Sequence, residues 1–432
     1  MISPRGPSSA DAATGGDAAG MRILFLSHYF SPEGNAPATR VHELGRRWVR
    51  MGHEVSVVTC APNVPSGVVY PGYANRLYQR ESVDGIDVRR VWTFLAANAG
   101  SGRRIANYLS FLLTGGLAGL CVRRPDVVIA TSPQFFCGVA GMLVSALRRL
   151  PFVLEIRDLW PESIVAVGAM RPSRAIRCLE WLERRMYAAA TRIVTVGEGY
   201  RRKLAARGVA PEGVEIVPNG VDLGMFHAGA EGGAVRREYG LGQAFVCAYV
   251  GTIGMGCGLD VVLRAGKLLR ERGRDDVRFL LVGDGAIRER LERDARAAGL
   301  ANVVFTGRLD KARMPEVLAA ADACLVHLTK TELFQSVLPS KIFEAAAMAR
   351  PIVLGVEGFA AELVAGAGAG LCIEPENEHE LVDAVLRLAD DPSLAKRLGE
   401  SGRAGIAADY DYDRLAVRYA ELLAKILAEA RR

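Results

Sequence analysis

From Met21 onward, short apolar runs alternate with amphipathic stretches, and the alternation restarts once partway along the chain. Runs at 22–27 (RILFLS), 54–60 (EVSVVTC), 86–92, 126–131, 152–157 and 192–196 read as strands. Helical patterns at 38–51, 136–149 and 173–190 lie between them. The strands are apolar on both faces, which suits a parallel sheet covered by helices on each side. A second set of runs follows at 245–250, 278–282, 302–305, 322–327, 351–355 and 370–373. In 259–271, Leu259, Val262, Leu263 and Gly266 share one helical face. The pattern predicts two Rossmann-like, doubly wound α/β domains. Their join falls at Val217-Pro218-Asn219-Gly220-Val221-Asp222, a turn rather than an element. The expected units are a first domain over 21–218, a second over 219–410, and a terminal helix over 411–432 that could pack on either.

At 432 residues the chain has the length for two such cores without disulfides. Half the residues are apolar and 24% charged, which excludes a disordered or collagen-like chain. The net charge of +6 is uneven: residues 1–218 carry +10 and the remainder −4. A basic first half suits an anionic partner, either a membrane surface or a phosphorylated ligand, and equally a solvated Arg-rich surface. No nucleic-acid partner is expected. The eight cysteines form no C-x-x-C, so they read as free thiols in a reducing compartment.

Residues 1–20 lack the apolar region of a signal peptide and read as a disordered leader. Ile105 to Val122 is largely apolar between Arg103-Arg104 and Arg123-Arg124. It reads as a buried helix, as a helix lying in the headgroup layer, or as a span at the lower limit of length.

Ligands of doubly wound sheets bind beyond the carboxyl ends of the strands. Five loops there are candidates. Ser31-Pro32-Glu33-Gly34-Asn35-Ala36-Pro37 opens a helix, and Gly34 permits close backbone approach. Gly251-Thr252-Ile253-Gly254-Met255-Gly256-Cys257-Gly258 has four glycines that free N–H groups for phosphate, without dinucleotide spacing. Val282-Gly283-Asp284-Gly285 is a phosphate loop or a tight turn. In Pro339-Ser340-Lys341-Ile342-Phe343-Glu344, Ser340 is placed to cap a helix whose first-turn Lys341 opposes the dipole unless an anion binds there. Arg157-Asp158-Leu159-Trp160-Pro161-Glu162 gathers charge at a first-domain strand end, as a site or as a structural Arg–Asp pair. Asp409-Tyr410-Asp411 has a metal-binding spacing but also sits where a helix cap belongs.

Together these segments resemble the family 4 glycosyltransferases of the GT-B fold, over residues 21 to about 428. The carriers are the Asp158–Glu162 run, the PNGVD join, the VGDG run and the Pro339-Ser340-Lys341…Glu344 segment. The chain is most similar to the bacterial subgroup that builds O-antigen, capsule and exopolysaccharide, including N-acetylfucosaminyl transferases. The resemblance implies a nucleoside-diphosphate sugar donor, with UDP expected, held on the second domain, retention of configuration, and no metal or other cofactor. It implies a glycan or polyprenyl-diphosphate-linked acceptor, and a cytoplasmic enzyme at the inner membrane face. It gives catalytic roles to Asp158, Lys341 and Glu344, with Glu344 on ribose. It gives donor binding to Gly34, Gly251, Thr252, Gly254, Gly283, Arg308 and Ser340.

Two departures stand out. Eight residues before Glu344 the family often has a glutamate, and here Ser336 stands there with Glu332 out of register. Met255 lies where many members have a basic residue. Three alternatives remain open. They are a sugar-nucleotide epimerase of the same architecture, a non-catalytic nucleotide-sugar-binding subunit, and, least favoured, an NAD-dependent oxidoreductase.

Overall fold

The structure, a computed structural model, describes residues 20–64, 67–95, 101–160 and 174–432. The expected leader lies outside the described residues apart from Gly20, as do Pro161 and Glu162.

Strands β1 (Arg22–Leu26), β2 (Glu54–Cys60), β3 (Tyr78–Val83), β4 (Ile86–Val91), β5 (Val127–Thr131), β6 (Phe152–Ile156), β7 (Arg192–Thr195) and β8 (Val214–Ile216) form one sheet. Its order is β3-β4-β2-β1-β5-β6-β7-β8, parallel except for β3. The pleat sorts its apolar side chains by alternation. Leu24 and Leu26 face helices Ser101–Leu120 and Phe135–Arg148, packing with Phe111 and Val144. Ile23 and Phe25 face helix Ala36–Arg50, packing with Leu44 and Trp48. The pattern of apolar runs leaves out β3 and β8. β3 pairs with β4 through Asp84 (φ 50°) and Gly85 (φ 81°), two left-handed residues that make a hairpin turn.

Strands β9 (Phe245–Val250), β10 (Val277–Val282), β11 (Val303–Gly307), β12 (Ala323–His327), β13 (Ile352–Gly355) and β14 (Gly370–Cys372) form the second sheet. All pairs are parallel in the order β11-β10-β9-β12-β13-β14. This is the doubly wound order 3-2-1-4-5-6, whose switch point falls between β9 and β12. In the first sheet the switch falls between β1 and β5.

The chain passes between the sheets twice, and the two passages touch. Val221 N donates to Tyr410 O at 2.8 Å and Tyr412 N donates to Val221 O at 3.0 Å. The terminal helix Tyr412–Ala430 therefore returns to the first sheet and packs beside helix Ala36–Arg50. Trp48 Nε1 donates to Ala416 O at 3.0 Å, and the Trp48 and Tyr419 rings meet edge to face at 5.3 Å. Arg40, fully buried, locks the first passage: its Nε donates to Glu155 Oε1 at 3.0 Å and its Nη2 to Val217 O at 2.8 Å.

Candidate active site

The second domain supplies a floor made of backbone. Gly251 follows β9 with φ 140° and Gly283 follows β10 with φ 136°. A Cβ on Gly283 would lie 1.9 Å from Gly251 O, so no other residue fits there. Gly251 N donates to Val282 O and Ile253 N to Asp284 O, at 2.8 and 2.9 Å, tying the two loops together. Thr252 is exposed, and its carbonyl accepts from Tyr249 Oη at 2.7 Å. Gly254 precedes a 3₁₀ turn, Met255–Cys257, that carries Met255 outward at 77% exposure.

Lys341 lies along this floor. Its Cε and Nζ sit 2.6 and 2.9 Å from where a Cβ on Gly251 would be. Its ammonium is 4.9 Å from the centre of the buried Tyr249 ring. A bare glycine thus makes the slot that holds the lysine at the strand ends of the switch point. Among the described residues Lys341 has no salt-bridge partner. One turn further, Glu344 is half-buried. Burial pushes its carboxyl up, against the opposing pull of Lys311 and Lys341.

The expected cap at Ser340 is not made. Ser340 has helical dihedrals (φ −61°, ψ −21°) and its side chain accepts no capping bond. An N-cap side chain typically accepts from the N–H groups two or three residues ahead when its own backbone is extended, and that of Ser340 is not. Its carbonyl instead accepts from Phe343 N at 3.0 Å.

A residue absent from the sequence reading organises the rim. His327 is buried at the end of β12. Its Nδ1 lies 2.7 Å from Cys257 O, and Glu376 N donates to its Nε2 at 2.9 Å. A backbone N–H can only donate, so the ring is neutral with its proton on Nδ1. It fixes the glycine loop, leaving no room for a Cβ at Gly258 or Gly355. Nothing in a lone His at a strand end announces that role.

On the first-domain side, Gly34 is exposed with open space around it. The loop is held from beneath by Glu33, another residue not picked out from sequence. Buried, it accepts from Asn63 N at 2.9 Å and Val64 N at 3.1 Å. Burial raises its carboxyl despite those bonds. Asn35 caps the following helix through Ala38 N at 2.9 Å.

The Arg157–Trp160 cluster divides. Arg157 turns to the interdomain passage, donating to Asn219 Oδ1 at 3.0 Å; burial, then Arg40, lower its pKa to about 10. The backbone N–H groups of Arg157 and Asp158 donate to Ser132 Oγ at 2.7 and 3.2 Å, fixing Asp158 at the β5–β6 strand ends. Trp160 stacks on Phe135 at 5.7 Å and meets Tyr108 at 5.9 Å. Beside them His28 is buried against Tyr29, Tyr108 and Phe111.

Burial lowers the His28 pKa from 6.5 to about 4. Between those values the unfolded chain binds a proton that the folded chain does not. The stability this neutral ring supplies is complete above pH 6.5 and falls as pH drops toward 4, by about 3 kcal/mol. Urea titrations across this range should show that loss, and His28→Leu should reduce it, with buried His327 still contributing in the same direction; an unchanged slope would remove His28 from the account.

The domains touch on both sides of the cleft. Lys311 Nζ lies 3.3 Å from Glu43 Oε1, and the Arg308 guanidinium lies 4.7 Å over the Tyr70 ring. Arg308 is therefore on the cleft wall, engaged with the first domain. Opposite, Gly199 abuts Ser336: a Cβ there would lie 2.5 Å from Ser336 Cβ and 2.9 Å from its Cα. Ser336, which breaks the familiar glutamate spacing, is thus an interdomain contact. Asp411 Oδ1 accepts from Asp413 N at 3.1 Å as a helix cap, and among the described residues no three His, Cys, Asp or Glu gather as a metal set.

Comparison with known proteins follows this division. Residues 35–220 match the glycosyl transferase 4-like domain and residues 244–391 the glycosyl transferases group 1. A relative from Escherichia coli (strain K12), named for colanic acid biosynthesis as the glycosyl transferase WcaI, is 27% identical over 377 residues. That match covers 84% of this chain and 91% of the relative. A 2-deoxystreptamine glucosyltransferase of Streptomyces kanamyceticus is 30% identical over 285 residues, covering 64% of this chain and 71% of its own. The solved structure of HepE from Anabaena, in complex with UDP and glucose, superposes with a TM-score of 0.68 at 20% identity. It covers 94% of this chain and 99% of HepE.

Proposed function

The chain belongs to the GT-B glycosyltransferases built from a 4-like domain and a group 1 domain, and from that premise we propose a retaining hexosyltransferase of cell-surface polysaccharide synthesis. The donor is a UDP-sugar, and the acceptor is a hydroxyl of a glycan or lipid-linked glycan. No metal or further cofactor takes part, and the reaction takes place in the cytoplasm. The reading rests on one observation above the rest: Lys341, with no salt-bridge partner among the described residues, is slotted over Gly251 and Tyr249 at the switch point, one turn from Glu344. The name of the Escherichia coli relative favours polysaccharide synthesis, and the UDP in the Anabaena structure favours the base.

In this reading the bond from the sugar C1 to the diphosphate oxygen breaks while the acceptor oxygen bonds to C1. The acceptor proton passes to the departing phosphate on the same face. Lys341 and the N–H groups around Gly251, Thr252 and Gly254 meet the charge that develops there. Glu344 accepts from ribose hydroxyls, and Arg308 and Ser340 border the diphosphate. Gly283 keeps the floor closed beneath it, and Gly34 leaves room for the diphosphate from the first domain. Asp158 orients the donor sugar or the acceptor hydroxyl.

The first test is a thermal-shift series with UDP, GDP, ADP, CMP and NAD. A nucleotide at 100 times its Kd adds about 2.7 kcal/mol, several degrees for a domain of this size. A selective shift with UDP is expected, followed by acceptor-dependent release of UDP from a UDP-sugar. A shift with NAD alone overturns the reading. Interconversion of the UDP-sugar without acceptor would make the protein an epimerase, and binding without turnover a binding subunit.

The Gly199–Ser336 contact gives a second test. Gly199→Leu wedges the domains apart where the backbone now approaches closely. It is expected to lower kcat/KM by roughly 10–100-fold through misalignment of the two walls, with UDP affinity little changed. An unaltered kcat/KM would mean that the contact is not kept during turnover.

A further inference from the structure

Three neighbouring helices cover one face of the first sheet: Ser101–Leu120, Phe135–Arg148 and Arg174–Ala189. Their inner sides are packed. Gly119 meets Val144, Gly138 meets Met186, and Arg148 Nη1 donates to Leu120 O at 3.1 Å. Among the described residues their outer sides carry exposed apolar side chains. Leu109, Leu113 and Leu117 recur at i, i+4 and i+8 on the first helix, and Leu113 and Leu117 are 67% and 65% exposed. Leu147 on the second is 71% exposed, and Trp181 on the third is 51% exposed. Isolated exposed leucines are ordinary, but large apolar side chains repeated across three adjacent helices form a patch that calls for a partner.

The charge around this patch is predominantly positive. No acidic residue occurs in 101–125 or in 132–154, which hold Arg103, Arg104, Arg123, Arg124, Arg148 and Arg149. Arg103, Arg123, Arg124 and Arg149 are exposed. The third helix adds exposed Arg174, Arg177, Arg184 and Arg185, with Arg185 stacked 5.2 Å over the Trp181 ring. Its acids are Glu180 and Glu183, and Glu183 is buried against Arg207. The opposite face of the same sheet differs: helix Tyr412–Ala430 holds three acidic and three basic residues. Exposed leucines and a tryptophan ringed by arginines match a bilayer interface bearing negative headgroups. No described helix is long and apolar enough to cross a membrane.

We propose that the outer face of these three helices docks flat on an anionic lipid bilayer, with the leucines and Trp181 in the acyl boundary and the arginines on the headgroups. The docking surface itself does not depend on the transferase reading. Joined to that reading, it has a further consequence. The helix that turns Leu113 outward sends Tyr108 inward to Trp160 and His28, so the bilayer lies on the side from which a lipid-linked acceptor reaches the Asp158 strand end.

The test uses the whole protein and co-sedimentation with phosphatidylcholine vesicles, with and without phosphatidylglycerol, at low and high salt. Binding is expected with phosphatidylglycerol, weakened by salt. The triple variant Leu113→Ser, Leu117→Ser, Leu147→Ser and the pair Arg123→Glu, Arg124→Glu are each expected to lower partitioning about tenfold or more. Val417→Ser, on the opposite face, is expected to bind as the parent does. The UDP thermal shift, measured on every variant, reports folding and the donor site separately, so loss of that shift in the parent would sink the transferase reading and leave the docking surface standing. Equal binding by the triple variant, or indifference to phosphatidylglycerol, overturns the proposal. So does a dimer in sedimentation velocity that the triple variant dissolves, since a second copy would then cover the face.

Discussion

Lys341→Ala is expected to lower kcat by about 10²–10³, the scale of losing one preorganised donor to a developing oxyanion. The argument rests on how the lysine is held. Its alkyl chain occupies the space a side chain at 251 would take, and its ammonium lies over Tyr249. The charge is therefore positioned before substrate arrives and has no salt bridge to break among the described residues. Because such stabilisation grows as the diphosphate leaves, kcat should fall far more than UDP affinity. Gly251→Ala is a companion test: the new methyl would meet Lys341 Cε at 2.6 Å, at a φ of 140° that alanine rarely adopts. It should reproduce much of the loss with Lys341 still present. Turnover within threefold of the parent in Lys341→Ala would remove the residue from the mechanism.

The largest effect on stability is expected at Arg40. Its guanidinium is buried without solvent contact, bonded to Glu155 and to the carbonyls of Val217 and Pro218. Glu155 also accepts from Thr131 Oγ1 at 3.0 Å. Arg40→Ala strips the charged partner from a buried carboxylate that keeps only hydroxyl donors, and takes the guanidinium donor from two carbonyls, at a cost of about 3–5 kcal/mol. Denaturant midpoints should fall accordingly with an unchanged m-value. A buried pair need not add net stability over well-packed apolar groups. The double variant Arg40→Met, Glu155→Leu should therefore recover much of the loss, limited by the carbonyls still unsatisfied. A single variant within 1 kcal/mol of the parent would show that water reaches the site.

Most of the architecture was legible because strands buried on both faces leave continuous apolar runs, as in RILFL and FVCAYV. β3 escaped because its faces are exposed and half-buried in turn, so YQRESV carries no apolar run. The Asp84-Gly85 turn was the available signal. β8 is three residues long, below what periodicity resolves. In the candidate site, glycines and a lysine at strand ends could be found from sequence, since few residues tolerate such positions. Their reasons could not. Gly283 is demanded by the Gly251 carbonyl, and the Ser340 cap failed because its backbone is helical.

The sequence alone determined two doubly wound sheets and which loops end at strand termini, because periodicity and turn chemistry act over a few residues. Tertiary structure decided what depends on distant segments meeting. It sent helix Tyr412–Ala430 back to the first sheet, set Gly199 against Ser336, buried His327 between two loops, and aligned the leucines of separate helices on one face. Those outcomes follow from close packing, which brings together residues whose chain separation carries no local signature.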